Sequence, residues 1–205
     1  ACFKYGTMLY NGQGSTKDVK ESVKYFEKVI KNEARVTSPG IRYTSEISSL
    51  QMMQESARCI RSAAEQGVPE AMRVYAIMLF KEICFQCNVQ EGFRWFKKAA
   101  KLNDPIALNF VANRIFKTGE GDRNAAVKML KTAADDGYNI AQFNYAMIVE
   151  EGDETIDLPQ NFSEAAFYYK NAADQNYAPA QLHYAMMLEV GEGCQKNLEL
   201  AAVYY

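Results

Sequence analysis

Small, bulky and polar positions recur along this chain with a period of about 36 residues. Ala-Ala pairs stand at Ala63-Ala64, Ala99-Ala100, Ala133-Ala134 and Ala172-Ala173, at intervals of 36, 34 and 39. Seven residues after each pair comes another alanine: Ala71, Ala107, Ala141 and Ala180, with Ala1 fitting the same column. Four positions on stands a large residue (Tyr5, Tyr75, Val111, Tyr145, Tyr184), and five on a small one (Gly6, Ala76, Ala112, Ala146, Ala185). Eight on stands an aliphatic: Leu9, Leu79, Ile115, Val149 and Leu188. Offsets 0, 4, 5 and 8 share one face of a helix, here called helix A. Glycines then close the segment at Gly12 and Gly14, Gly119 and Gly121, Gly152, and Gly191 and Gly193. Glycine there supplies the left-handed backbone that stops a helix.

A second helix, B, begins at Asp18, Asn88, Asp122, Asn161 and Asn197, whose short polar side chains suit an N-cap. Glu21, Glu91 and Glu164 lie three residues after their caps, the spacing of a capping box. Seven and eight residues after the cap come bulky pairs: Tyr25-Phe26, Trp95-Phe96, Met129-Leu130, Tyr168-Tyr169 and Tyr204-Tyr205. Their helical spacing makes them core rather than a ligand box. Each helix is amphipathic and neither buries its face alone, so the unit is a helix pair stacked on its neighbours. The pattern predicts A helices near 1–10, 69–83, 105–118, 139–151 and 178–190. It predicts B helices near 19–32, 52–66, 89–102, 123–136 and 162–175. The small column Ala76, Ala112, Ala146 and Ala185 is expected at the A–B contact, and Lys131 in solvent.

The order Ala, large-small, G-x-G, Asp or Asn, small, aromatic, Ala-Ala resembles the Sel-one-like repeat, a relative of the tetratricopeptide repeat. The closest copies run from Ala1 to Phe26 and from Ala180 to Tyr205. The family has Leu-Gly where this chain has Tyr75-Ala76, Tyr145-Ala146 and Tyr184-Ala185, and alanine still lets helices approach. The resemblance implies an all-α, right-handed α-solenoid of antiparallel pairs, about six repeats forming a single array over residues 1–205. It covers all but Lys31 to Gln51, where helix A is replaced by Val36-Thr37-Ser38-Pro39-Gly40 and Pro-Gly breaks a helix. A whole repeat length separates Asp18 from Met52, so the irregular 31–51 stretch reads as a drifted repeat or as a loop that contacts a partner.

Composition narrows the function. Apolar residues make up 48% of the 205, enough for a sizeable core, and charged residues 23%. A net charge of -2 argues against nucleic acid and anionic membrane, which attract basic surfaces. No uncharged apolar run approaches the roughly 20 residues of a bilayer span, so direct membrane insertion is not expected. The chain starts without Met and ends on an apolar run, which reads as a segment of a longer polypeptide.

Catalytic chemistry is sparse. His183 is the single histidine and has no marked partner for a nucleophilic triad. Cys84 and Cys87 have the spacing of half a zinc site without a second half. No cofactor is expected: the G-E-G segments at 119–121 and 191–193 sit between helices and lack a phosphate-loop lysine. Asn161-Phe162-Ser163 is a formal glycosylation sequon that coincides with the cap column, and it reads as a cap. Lys97, Lys98 and Lys101 form a basic cluster that reads as a solvated face, with an acidic partner as the other reading. The five cysteines follow no repeating column, unlike the disulfide-stapled secreted members of the family, which favours a reducing cytoplasm, with the endoplasmic-reticulum lumen as alternative.

The resemblance implies a protein–protein scaffold or adaptor rather than an enzyme. The alternatives are a lumenal subunit of an endoplasmic-reticulum degradation complex and the regulatory repeats of an enzyme such as a protein kinase. The partner is expected to be protein. Polar residues off the buried A face are the candidate contacts: Arg73, Asn109, Asn113, Asn144 and His183.

Overall fold

The computed structural model describes residues 2–14, 16–36 and 43–205. Among them lie eleven α-helices and no β-sheet. They are α1 (Cys2–Asn11), α2 (Val19–Val36), α3 (Tyr43–Glu65), α4 (Pro69–Phe80), α5 (Val89–Lys101), α6 (Pro105–Thr118), α7 (Arg123–Asp135), α8 (Asn139–Glu151), α9 (Phe162–Asp174), α10 (Ala178–Val190) and α11 (Leu198–Tyr204). The chain divides into two compact units, Ala1–Leu102 with α1 to α5 and Asn103–Tyr205 with α6 to α11. Within each unit every helix packs on the next in sequence, and short connections make such neighbours antiparallel. This is an α-solenoid. Helices A also touch the following helix A where α6 meets α8.

The predicted columns form the core. Ala76, Ala112, Ala146 and Ala185 are 0% exposed, as are Ala71, Ala107, Ala141 and Ala180. A side chain no larger than a methyl lets the two backbones approach, which is why the column stays small. In the bulky pairs the second residue fills the core, as Phe26, Leu130 and Tyr169 do with no exposed surface. The first stands edge-on against the position-4 ring of helix A. Tyr5–Tyr25, Tyr75–Trp95, Tyr145–Tyr168 and Tyr184–Tyr204 have centroids 4.8, 5.6, 4.9 and 5.0 Å apart. Such T-shaped pairs are favoured by the ring quadrupole.

The caps do two jobs. Their side-chain oxygens accept the N–H three residues on, as in Asp18 to Glu21 at 2.8 Å and Asn197 to Leu200 at 2.9 Å. Four of the five also donate their own backbone N–H to the position-8 carbonyl of helix A: Asp18 to Leu9, Asn88 to Leu79, Asn161 to Val149 and Asn197 to Leu188. This latch ties the start of B to the end of A. It also corrects the capping-box expectation. With the cap N–H already used, Glu91 and Glu164 accept from the side-chain amides of Asn88 and Asn161 instead, at 3.2 and 3.3 Å.

Departures have local causes. Helix α4 stops at Phe80, short of 83, because Glu82 adopts φ 55° and Cys84 φ 61° in the columns where other repeats have glycine. The 39-residue interval accommodates a 3-10 turn at Glu154–Ile156 and a bridge between Asp153 and Leu158, while the Asn161 latch is kept. Helix α3 starts at Tyr43 rather than near 52. The expected break at Thr37–Gly40 lies outside the described residues.

Candidate functional site

Two helix A columns beside the core change from repeat to repeat, with Val74 and Asn109 themselves buried. Position 2 after the alanine is Arg73, Asn109, Phe143 and Leu182, and position 3 is Val74, Phe110, Asn144 and His183. In the second unit position 2 of one helix A meets position 3 of the next. Asn144 on α8 donates from Nδ2 to Asn109 Oδ1 on α6 at 2.7 Å. Phe143 on α8 stands edge-on to His183 on α10, centroids 5.4 Å apart. The pattern is a ladder of contacts along successive A helices.

The α6–α8 rung opens into a groove of about 310 Å³. Asn113 and Asn144 form one end, with Asn113 Nδ2 donating to Asn109 Oδ1 at 3.4 Å. Phe116, Met147 and Ile148 supply apolar surface. At the far end Arg123, from the first turn of α7, donates through Nε and Nη2 to Asp153 Oδ2 at 3.0 and 2.7 Å. Its guanidinium lies over the Phe116 ring, 5.1 Å from the centroid. Hydrogen bonds from Thr155 first, and then from Arg123, hold the Asp153 carboxyl below the usual range.

The Sel1 repeat profile matches residues 1–32, 69–104, 105–138, 139–177 and 178–205. The chain belongs to the Sel1 repeat family. A Sel1 repeat protein from Oxalobacter formigenes is similar in structure, with a TM-score of 0.66 at 23% identity over 99% of this chain. A protective antigen of uropathogenic Escherichia coli with an SLR fold gives a TM-score of 0.45 at 16% identity, also over 99%. An immunity protein from Pseudomonas aeruginosa gives 0.45 at 18% identity over 87% of this chain and 78% of its own. The chain spans about 59% of the length of the first two. No curated protein matches it.

Among the five candidate contacts of this Sel1 repeat chain, Asn109, Asn113 and Asn144 come together, His183 occupies the next rung, and Arg73 belongs to the other unit. Asn109 departs from expectation. It is 8% exposed, because the following helix A covers position 2. Its place is beneath the groove, orienting the other two. His183 is half-buried, stacked on Tyr169 with Nδ1 3.9 Å from Glu150 Oε2. Tyr169 donates to the same carboxylate oxygen, and burial followed by that bond pushes its phenol well above the ordinary range.

Lys131 is exposed, as expected, but it is also paired: Nζ lies 2.7 Å from Glu164 Oε1 and 3.3 Å from the Tyr145 hydroxyl. The Glu164 bond raises the lysine above its usual value, and the same bond lowers Glu164. Sequence reasoning also missed Arg123 and Asp153, 30 residues apart, whose pairing depends on the inserted turn after α8. Among the described residues no group of three His, Cys, Asp or Glu is placed to hold a metal, and no helix is long and apolar enough to cross a membrane.

Proposed function

We propose that this Sel1 repeat chain is a non-catalytic scaffold that binds a partner protein through the variable columns of its A helices. The observation behind this is the contrast within each repeat. Positions 0 and 5 stay alanine and fully buried through four repeats, while positions 2 and 3 beside them change chemistry from Arg73 to Asn109 to Phe143 to Leu182. The core columns repeat because the same packing is met in every pair, while positions 2 and 3, mostly part-buried where successive A helices meet, differ from repeat to repeat and can be shaped by a ligand. Arg73, Asn113, Asn144 and His183 are the contact residues, with Asn109 supporting two of them. We place the protein in a reducing cytoplasm on the irregular placement of its five cysteines. Helical-pair arrays commonly work as binding surfaces, which supports the reading without naming the partner. The test is affinity capture of the full-length protein with cross-link mapping. Links at the A-helix columns are expected, and links confined to helix B would reject the assignment.

A further inference from the structure

We infer that the α6–α8 groove is a site for an extended peptide segment whose main chain is read by Asn113 and Asn144. This rests on the protein-binding reading and names the ligand within it. Asn109, almost entirely buried, accepts one N–H from each of the other two carboxamides, at 2.7 and 3.4 Å. A carboxamide carries two N–H donors and an acceptor oxygen. Each fixed amide therefore presents its oxygen and one remaining N–H. That is the donor–acceptor pair of a peptide group, which an extended segment offers unpaired along its length. Two such amides from adjacent helices can hold a strand at two points without reading its side chains.

The rest of the groove fits the same ligand. Side chains of an extended chain alternate, at about 3.3 Å per residue, so every second one turns toward the groove. There they meet Phe116, Met147 and Ile148. The groove's charges balance, with Arg123 tied to Asp153 at 2.7 Å and Lys117 and Glu151 adding one charge of each sign to its lining. A polyanion gains little there, and an apolar side chain flanked by polar residues gains most. A small apolar molecule would bury the carboxamides without satisfying them, which costs about 1–3 kcal/mol for each unpaired group.

The experiment pans a displayed library of random dodecapeptides on the chain, with Asn113→Ala/Asn144→Ala as counter-selector. Peptides that bind the parent at least tenfold tighter than the double variant are expected, with hydrogen-exchange protection on α6 and α8. Methylating the backbone nitrogens of the best peptide should cost a further tenfold, and Asn109→Ala should weaken binding several-fold. Melting temperatures of all variants are measured alongside, so that lost binding in an unfolded variant is recognised; Asn144→Asp, which keeps size and changes the donor, serves as the folded substitute. Peptides retained equally by the double variant, or protecting helix B, would overturn the groove and leave the scaffold reading standing. A library yielding no binder overturns the groove as a peptide site, while cross-linking of the parent to its partner decides the scaffold reading separately.

Discussion

Gly193 shows how closely successive repeats approach. It lies between α10 and α11 with φ 68°, and a methyl built on it comes 2.1 Å from the Phe162 carbonyl oxygen and 2.4 Å from its carbon, at the start of α9. Gly119 has nearly the same φ, 69°, with nothing within 4 Å. Alanine at either position carries the left-handed backbone cost of about 1–2 kcal/mol. At Gly193 the contact is with backbone, which cannot rotate away, so an overpacking cost of about 1–3 kcal/mol adds to it. Gly193→Ala should therefore lose about 2–5 kcal/mol and Gly119→Ala about 1–2 kcal/mol. For a chain of this size each kcal/mol lowers Tm by about 2–4 °C. Circular-dichroism melts and urea unfolding of both variants give the comparison. Equal losses would refute the close-approach argument and leave only backbone strain.

Further outcomes follow from the same geometry. Ala146→Leu should destabilise by about 1–3 kcal/mol from overpacking, and Lys131→Leu should also lower Tm because it leaves Glu164 and Tyr145 without their cation, whereas exposed Lys128→Leu should not; thermal melts check all three. Glu82→Gly and Cys84→Gly should each raise stability by about 1 kcal/mol in urea titrations, since both residues hold positive φ in columns that other repeats give to glycine. Asn161→Ala should cost about 1 kcal/mol through the lost cap, read in the same titrations. The Glu164 carboxyl is held below its usual 4.5, so its contribution is present above 4.5 and fades as pH falls through the depressed value. The Tm gap between wild type and Glu164→Gln should accordingly narrow from about pH 6 to about pH 3. Raised Lys131 loses its contribution only when pH climbs past its elevated value, outside that window.

The fold was legible because burial repeats with the chain. Ala112, Ala146 and Ala185 meet the same demand in each pair, and so do the caps Asp122, Asn161 and Asn197. The latch from the N–H of Asp18, Asn88, Asn161 and Asn197 to the position-8 carbonyl was invisible, since backbone groups leave no residue-type signal. Glu82 was missed for a related reason: a glycine column filled by glutamate announces nothing, yet it ends α4. The placement of the candidate residues was half legible. Helical phase put Asn113, Asn144 and His183 off the fully buried face, where they are half-buried, but treating each helix by itself put Asn109 in solvent. Knowing that position 2 meets position 3 of the next helix A, 35 residues on, would have placed it beneath Asn144. A signal was present in the left-handed column Gly67, Asn103, Gly137 and Asn176, three residues after each Ala-Ala pair, which marks where every B helix turns toward the next A.

The measurement that bears most directly on the scaffold reading is site-specific photo-cross-linking of the full-length protein in its own cells. A photoreactive residue is placed in turn at Arg73, Asn113, Asn144 and His183 on the A helices, and at Lys97, Lys128 and Phe167 on the exposed surface of the B helices. A discrete partner adduct from the A-helix positions, absent from the B-helix positions, is the predicted result. Adducts from the B-helix positions alone would contradict it.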